Sequence, residues 1–156
     1  MKKLIYTLLI IIALTNNSFS AGTSSDSSDS SSNYTKAKNL IKAAKKYEKK
    51  GKTEKALKRY TKAQKLLLKS NKEKPLQADT LNYLGFTTRK LGDYEKGEEF
   101  YLQGLQIEPN HNGINEYLGE LYMVTNRMDL AKERLNVLKS CNCEEYNQLK
   151  EIIEGT

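Results

Sequence analysis

From Lys36 onward, apolar side chains return every three or four residues, the period of a helix buried along one face. Leu40, Ile41, Ala44 and Tyr47 mark a first stripe, and Gly51-Lys52 interrupts it. Ala56, Tyr60, Ala63 and Leu67 mark a second stripe that stops short of Pro75. Leu81, Leu84 and Gly85 lead to Gly92, and Tyr94, Gly97, Tyr101, Gly104 and Leu105 lead to Pro109. Ile114, Leu118, Gly119 and Tyr122 then precede Asn126, with Ala131, Leu135 and Leu138 beyond it. A last stripe, Tyr146, Leu149, Ile152 and Ile153, falls within 144–156. No strand-like alternation of useful length occurs. The pattern predicts an all-α chain of three helix–turn–helix hairpins closed by a C-terminal helix.

The second and third hairpins are copies. Moving 78–111 onto 112–145 sets Tyr83-Leu84-Gly85 on Tyr117-Leu118-Gly119 and Gly97 on Ala131, a shift of 34 residues. Small residues at 85, 97, 104, 119 and 131 let helices approach closely. Large ones at 84, 94, 101, 118 and 122 are expected to fill the space between them. This spacing and these slots resemble the tetratricopeptide repeat family. The unit at 78–111 carries the resemblance best, and Thr88 departs from it where Tyr is usual. The unit at 112–145 has Asn126 at the turn and Met128 in place of Tyr. The unit at 37–70 keeps Leu40, Ala44, Tyr47, Gly51, Ala56, Tyr60 and Ala63, and 71–77 intervene before the phase resets. The resemblance implies a solenoid of three repeats over 36–143 with a cap at 144–156, because each hairpin needs a neighbour to cover its apolar face.

Ahead of the repeats stand two segments of different composition. Residues 1–20 have Lys2 and Lys3, then an apolar run from Leu4 to Leu14, then Ser18 and Ser20 at the −3 and −1 positions of a cut before Ala21. That is the layout of a bacterial secretory signal peptide, and the apolar run is too short to span a bilayer as a stable helix. It predicts a periplasmic or secreted protein. Residues 21–35 are serine-rich and almost free of apolar side chains, so a disordered linker is expected there.

Charge adds an asymmetry that the hydrophobic pattern does not show. Between 36 and 74, sixteen Lys/Arg face three Glu; between 76 and 156, eight face fourteen Asp/Glu. Nucleic-acid binding would require a cytosolic chain and more aromatic interleaving than Tyr47 and Tyr60 provide. Export instead favours an acidic protein or peripheral contact with an anionic membrane surface, and a well-solvated lysine face is the plain alternative. A basic front and an acidic back also permit a head-to-tail homo-oligomer, which is the envelope-associated structural alternative.

Nothing in the sequence has the form of a catalytic site. His111 is the only histidine, and no nucleophile elbow or phosphate-cradling glycine loop occurs, so no catalytic residue, metal or cofactor is assigned. Cys141-Asn142-Cys143 lies at the joint before the last helix. In an exported chain the pair reads as a disulfide, and a dithiol redox pair or a soft-metal thiolate pair is the alternative.

The resemblance also implies an inner groove lined by the first helix of each hairpin. Carried over by repeat position, it assigns Lys38, Ile41 and Lys45 in the first unit. It assigns Asn82, Phe86, Arg89 and Lys90 in the second, and Glu116, Glu120 and Met123 in the third. Phe86 and Met123 are apolar residues off the core phase, expected as exposed anchors for a peptide. The Lys/Asn arrangement that clamps a terminal carboxylate in some family members is not recognisable. The function these readings imply is a non-catalytic protein–protein interaction scaffold of the bacterial periplasm, holding a peptide or partner helix in its groove.

Overall fold

A computed structural model describes residues 27–155, with side chains described from Asn33 onward. The signal-peptide expectation at 1–20 and the start of the linker, 21–26, lie outside the described residues. Seven helices follow one another: α1 (Ser27–Glu48), α2 (Thr53–Glu73), α3 (Ala78–Lys90), α4 (Tyr94–Ile107), α5 (Asn112–Val124), α6 (Met128–Leu138) and α7 (Glu144–Glu154). No strand occurs among the described residues. Consecutive helices pair as α1–α2, α3–α4 and α5–α6, and α7 packs on α5 and α6. The fold is the expected all-α solenoid of three hairpins and a cap.

The turn within each hairpin needs one residue in the left-handed region. Gly51 has φ 67°, Gly92 has φ 96°, and Asn126 has φ 58°. Gly92 and Asn126 occupy the same repeat position, and asparagine tolerates this conformation better than other residues with a side chain. After each of the last two Pro/Gly breaks a side chain begins the next helix. Asp93 accepts from the Lys96 backbone N–H at 3.0 Å, and His111 Nδ1 accepts from that of Ile114 at 3.2 Å. Each satisfies a donor that the first turn leaves unpaired.

Close packing uses the small residues as the pattern predicted. A Cβ on Gly85 would stand 2.5 Å from the Tyr101 ring, and one on Gly119 would stand 2.5 Å from Leu149 Cδ2. Tyr101 reaches from α4 across α3, whereas Leu149 reaches from α7 across α5. The cap therefore covers, at the third repeat, the position that a second helix covers in the repeat before. Ala37, Ile41, Ala44, Tyr60, Ala63, Leu67, Leu81, Leu84 and Phe86 belong to one core. Ala78, Tyr101, Ile114, Leu118, Leu121, Tyr122 and Ala131 form the next.

Three local expectations need correction. The disordered linker expected to Thr35 is helical from Ser27, and Asn33 is buried. Tyr34 packs its ring 6.0 Å from that of Tyr83. Tyr34 extends backward the stripe of Ala37, Ile41 and Ala44, so packing of the neighbouring turns holds a segment whose composition argues against order. Tyr94, expected as filler between helices, is 44% exposed, because it is the first residue of α4 and no helix crosses there. α2 runs to Glu73, so the gap between hairpins is only 74–77.

Candidate functional site: the concave face

Lys38, Lys42 and Lys45 recur on α1 at intervals of three and four, which places them in one row along the helix, and Lys49 continues the row in the turn just beyond it. That row, with Lys46, walls a groove of about 520 Å³ whose opposite side is Tyr83 of α3 and Tyr117 of α5. Ile41 is at its base. The two tyrosines occupy the same position in successive repeats. Two lysines lean on aromatic rings. Lys38 Nζ is 5.4 Å from the Tyr34 ring centre and 5.8 Å from that of Tyr83. Lys45 Nζ lies 4.7 Å from the Phe86 ring centre and donates to the Tyr117 hydroxyl at 2.9 Å. Such contacts hold a cation in place while leaving its charge to act on the groove. Burial pushes the hydroxyls of Tyr83 and Tyr117 upward; next come Tyr117 for the first and Glu116 for the second. Both therefore remain neutral donors at ordinary pH.

At the far side of the two tyrosines the lining changes sign. A second hollow of about 430 Å³ is bordered by Asp79 and Asn82 of α3, Glu108, Glu116 of α5 and Glu145 of α7. His111 stands at its rim, its Nε2 3.3 Å from Asp79 Oδ1. Since Nδ1 already accepts from Ile114, the Nε2 carries the proton that Asp79 receives.

The residues assigned from the resemblance divide into two groups. Asn82 and Glu116 do border the concave face, and so do Lys38, Ile41 and Lys45. Phe86, expected as an exposed anchor, is only 2% exposed. Its ring lies 5.7 Å from that of Tyr60 and 4.8 Å from that of Tyr117, beneath Lys45. Met123 is half-buried against the second core, so it too is no free anchor. Arg89 is buried and pairs with Glu120 at 2.6 Å. Lys90 pairs with Glu48 at 3.2 Å. Burial works against the Arg89 charge, but Tyr101 and Glu120 outweigh it and raise its pKa. The Arg89 Nε and Tyr101 hydroxyl act on each other electrostatically although neither has a hydrogen bond of good geometry. These four side chains, Phe86, Arg89, Lys90 and Glu120, join hairpin to hairpin. Sequence reasoning missed Tyr83, Tyr117, Lys42, Lys46 and Lys49. The three-four lysine spacing was the available signal for the lysines.

The Cys141 and Cys143 sulfurs are joined, with Cα atoms 5.2 Å apart, and Asn142 between them is left-handed at φ 49°. They lie at the α6–α7 joint, away from the groove. Among the described residues no group of three or more His, Cys, Asp or Glu is placed to hold a metal ion. No helix among them is long and apolar enough to cross a membrane.

The family profile described as tetratricopeptide repeat matches residues 78–111. The chain carries a tetratricopeptide repeat there. Its matched unit is α3, the Gly92 turn and α4, the hairpin whose Tyr83 faces the groove. A sequence relative is the Sol locus transcriptional repressor of Clostridium acetobutylicum, 36% identical over 72 residues. That match covers 44% of this chain and 23% of the relative, so it spans about a quarter of the relative's length. Among solved structures, the type III secretion translocator chaperone SycD of Yersinia enterocolitica is similar with a TM-score of 0.54 and 15% identity. The similarity covers 77% of this chain and 89% of SycD. The second tetratricopeptide domain of human RPAP3, in complex with the HSP70 peptide SGPTIEEVD, gives 0.51 and 17%, over 79% of this chain and 97% of that one. Identities at this level establish the shared fold.

Proposed function

We propose that this tetratricopeptide repeat protein is a non-catalytic interaction scaffold that binds an acidic peptide segment of a partner protein on its concave face. One observation carries the reading: the α1 lysine row faces Tyr83 and Tyr117 across an open groove. Lys42, Lys46 and Lys49 have no ion pair among the described residues, and Lys42 and Lys49 are exposed. A carboxylate-bearing segment laid there meets several ammonium groups and two neutral hydroxyl donors. The RPAP3 domain, a fold neighbour, is in complex with a peptide that itself carries Glu-Glu and a terminal Asp. Fluorescence anisotropy of a labelled peptide holding four glutamates in a Gly/Ser frame, titrated with the full chain at low salt, tests this. Binding should weaken about tenfold or more in the Lys42→Glu/Lys49→Glu double variant and fall with added salt. Equal affinity of that variant overturns the assignment.

The reading extends to compartment. The leader at 1–20 supports export to the periplasm, and the paired sulfurs of Cys141 and Cys143 suit an oxidising space. Intact-mass measurement of the protein from a periplasmic fraction should find the chain beginning at Ala21 with no thiol free to alkylate. A full-length chain with two alkylatable thiols refutes it.

A further inference from the structure

The acidic end of the groove contains two buried polar atoms that no described residue satisfies. Asn82 and Glu116 are 5% and 3% exposed, and the Asn82 Oδ1 and Glu116 Oε1 atoms have no hydrogen-bond partner. They occupy the same position in successive repeats, and both border the hollow that Asp79, Glu108 and Glu145 line. No Lys or Arg is among its lining residues. This contrasts with the buried pair next door, where Arg89 has Glu120. Buried polar atoms are almost always paired, so two unsatisfied ones in equivalent slots of one hollow leave a place for a donor from outside. A metal ion does not fit, since no three His, Cys, Asp or Glu side chains among the described residues converge for one. An organic cation does fit. A guanidinium offers five N–H donors in a plane and stacks on aromatic faces, and Tyr83 and Tyr117 border the hollow as well.

We propose that this hollow seats one arginine side chain of the same segment whose acidic stretch lies along the α1 lysines, so that the partner peptide is bipolar. The proposal rests on the peptide-binding reading above and gives it a second, opposite charge. Tyr83 and Tyr117 line both hollows, so the two charges sit on either side of one tyrosine pair. Packed helix axes lie about 8–10 Å apart, and an extended chain advances about 3.3–3.6 Å per residue. Crossing one to two such spacings, from α1 over α3 toward α5, puts the arginine roughly three to six residues from the nearest glutamate.

Electrostatics agree with the geometry. Burial pushes the Glu116 carboxyl up to about 8, with Glu120 adding to the rise, Lys45 opposing it, Glu145 adding again and Arg89 opposing. The groups around it are Glu120 and Tyr117 on its own helix, Lys45 on α1, Arg89, Asp79 and Tyr83 on α3, Glu108 after α4, Glu145 on α7 and His111 at the start of α5. In the empty groove at neutral pH Glu116 is largely uncharged. An arriving guanidinium favours the carboxylate and displaces the proton to solvent, so the arginine's contribution grows as pH rises.

The test compares three peptides by anisotropy against the full chain. Each has the four-glutamate block and a Gly/Ser spacer of about four residues; they end in arginine, in citrulline, or carry the arginine at the opposite end of the block. Citrulline keeps the shape and removes the charge. The arginine peptide in one of the two orders should bind about tenfold more tightly than the citrulline peptide, with the ratio rising between about pH 6 and about pH 9. Glu116→Gln, and separately the partly exposed Glu145→Gln, should reduce that ratio to about threefold or less. If arginine in both orders and citrulline bind alike, the arginine seat is wrong while the lysine row stands. If no glutamate-block peptide binds, the lysine-row reading fails and the bipolar partner fails with it.

Discussion

Replacing Glu116 by glutamine tests the electrostatic picture in the free protein, without any partner. The substitution keeps the shape of a side chain that is 3% exposed and removes its titration. Glu116 is raised from 4.5 to about 8, first by burial and then by Glu120. Its folded pKa lies above its unfolded one, so folding favours the neutral carboxyl. That contribution is complete below about pH 4.5, declines as pH rises, and is gone once pH passes about 8. Each unit of difference is worth about 1.4 kcal/mol, so wild type forgoes roughly 3 kcal/mol by pH 7 and about 5 above pH 8. The glutamine variant loses nothing across this range. The gap between them should therefore be near zero at about pH 4.5 and widen by about 1.4 kcal/mol per unit to about pH 8, where it flattens. In a chain of this size the melting temperatures should separate by about 10 °C or more at the alkaline end. Urea unfolding followed by circular dichroism, at constant ionic strength from about pH 5 to about pH 9, measures the gap. Other titrations are common to both proteins and cancel in the difference. A gap that stays constant, or one that narrows as pH rises, refutes the buried neutral carboxyl.

Four further substitutions probe how the hairpins hold together. Gly85→Ala should cost about 1–3 kcal/mol by urea unfolding, because the new Cβ meets the fully buried Tyr101 ring at 2.5 Å. Gly119→Ala should cost less, since it meets the rotatable end of Leu149, and equal costs would contradict this account. Glu120→Ala strands the buried Arg89 and should lower stability by about 3–5 kcal/mol; a loss under about 1 would show that the pair matters little. Leu76 is left-handed at φ 59° and 69% exposed, so Leu76→Gly should raise the melting temperature by a few degrees through about 1 kcal/mol of relieved strain. No rise would mean the link between α2 and α3 tolerates leucine without strain.

The repeat itself was plain in the sequence because its rules are local. Gly92 and Asn126 sit where a left-handed turn is required, and Gly85 and Gly119 sit where a helix crosses closely. The groove was only half legible, for a tertiary reason. Phe86 is off the core phase of its own helix, and what buries it is Tyr60 of α2, Tyr117 of α5 and Lys45 of α1. No periodicity within α3 encodes those three neighbours. The helical turns before Thr35 were hidden by their serines, since the stripe that holds them is continued only by Tyr34 and Ala37. Tyr83 and Tyr117 were visible as copies of one another but read as repeat markers, and only the crossing of α1 turns them into the groove's wall.

Why the groove should have two signs follows from which positions repeat and which do not. The core slots are copied: Leu84 and Leu118, Gly85 and Gly119, Gly97 and Ala131. The concave slots diverge: Asn82 becomes Glu116, Phe86 becomes Glu120 and Arg89 becomes Met123. Divergence lets one repeat's side chain answer the next one's, as Arg89 does with Glu120, and the Arg127 guanidinium with Glu98 at 2.7 Å. Positions used in that way are closed to a ligand, and a substitution there weakens the solenoid before it alters binding. The slots left open are those that the next repeat does not answer: the Asn82/Glu116 pair, and the row of Lys42, Lys46 and Lys49, which form no ion pair among the described residues. Those three lysines carry unpaired charge of one sign. The unanswered slots farther along carry the other, and a segment lying across both has its direction fixed by charge.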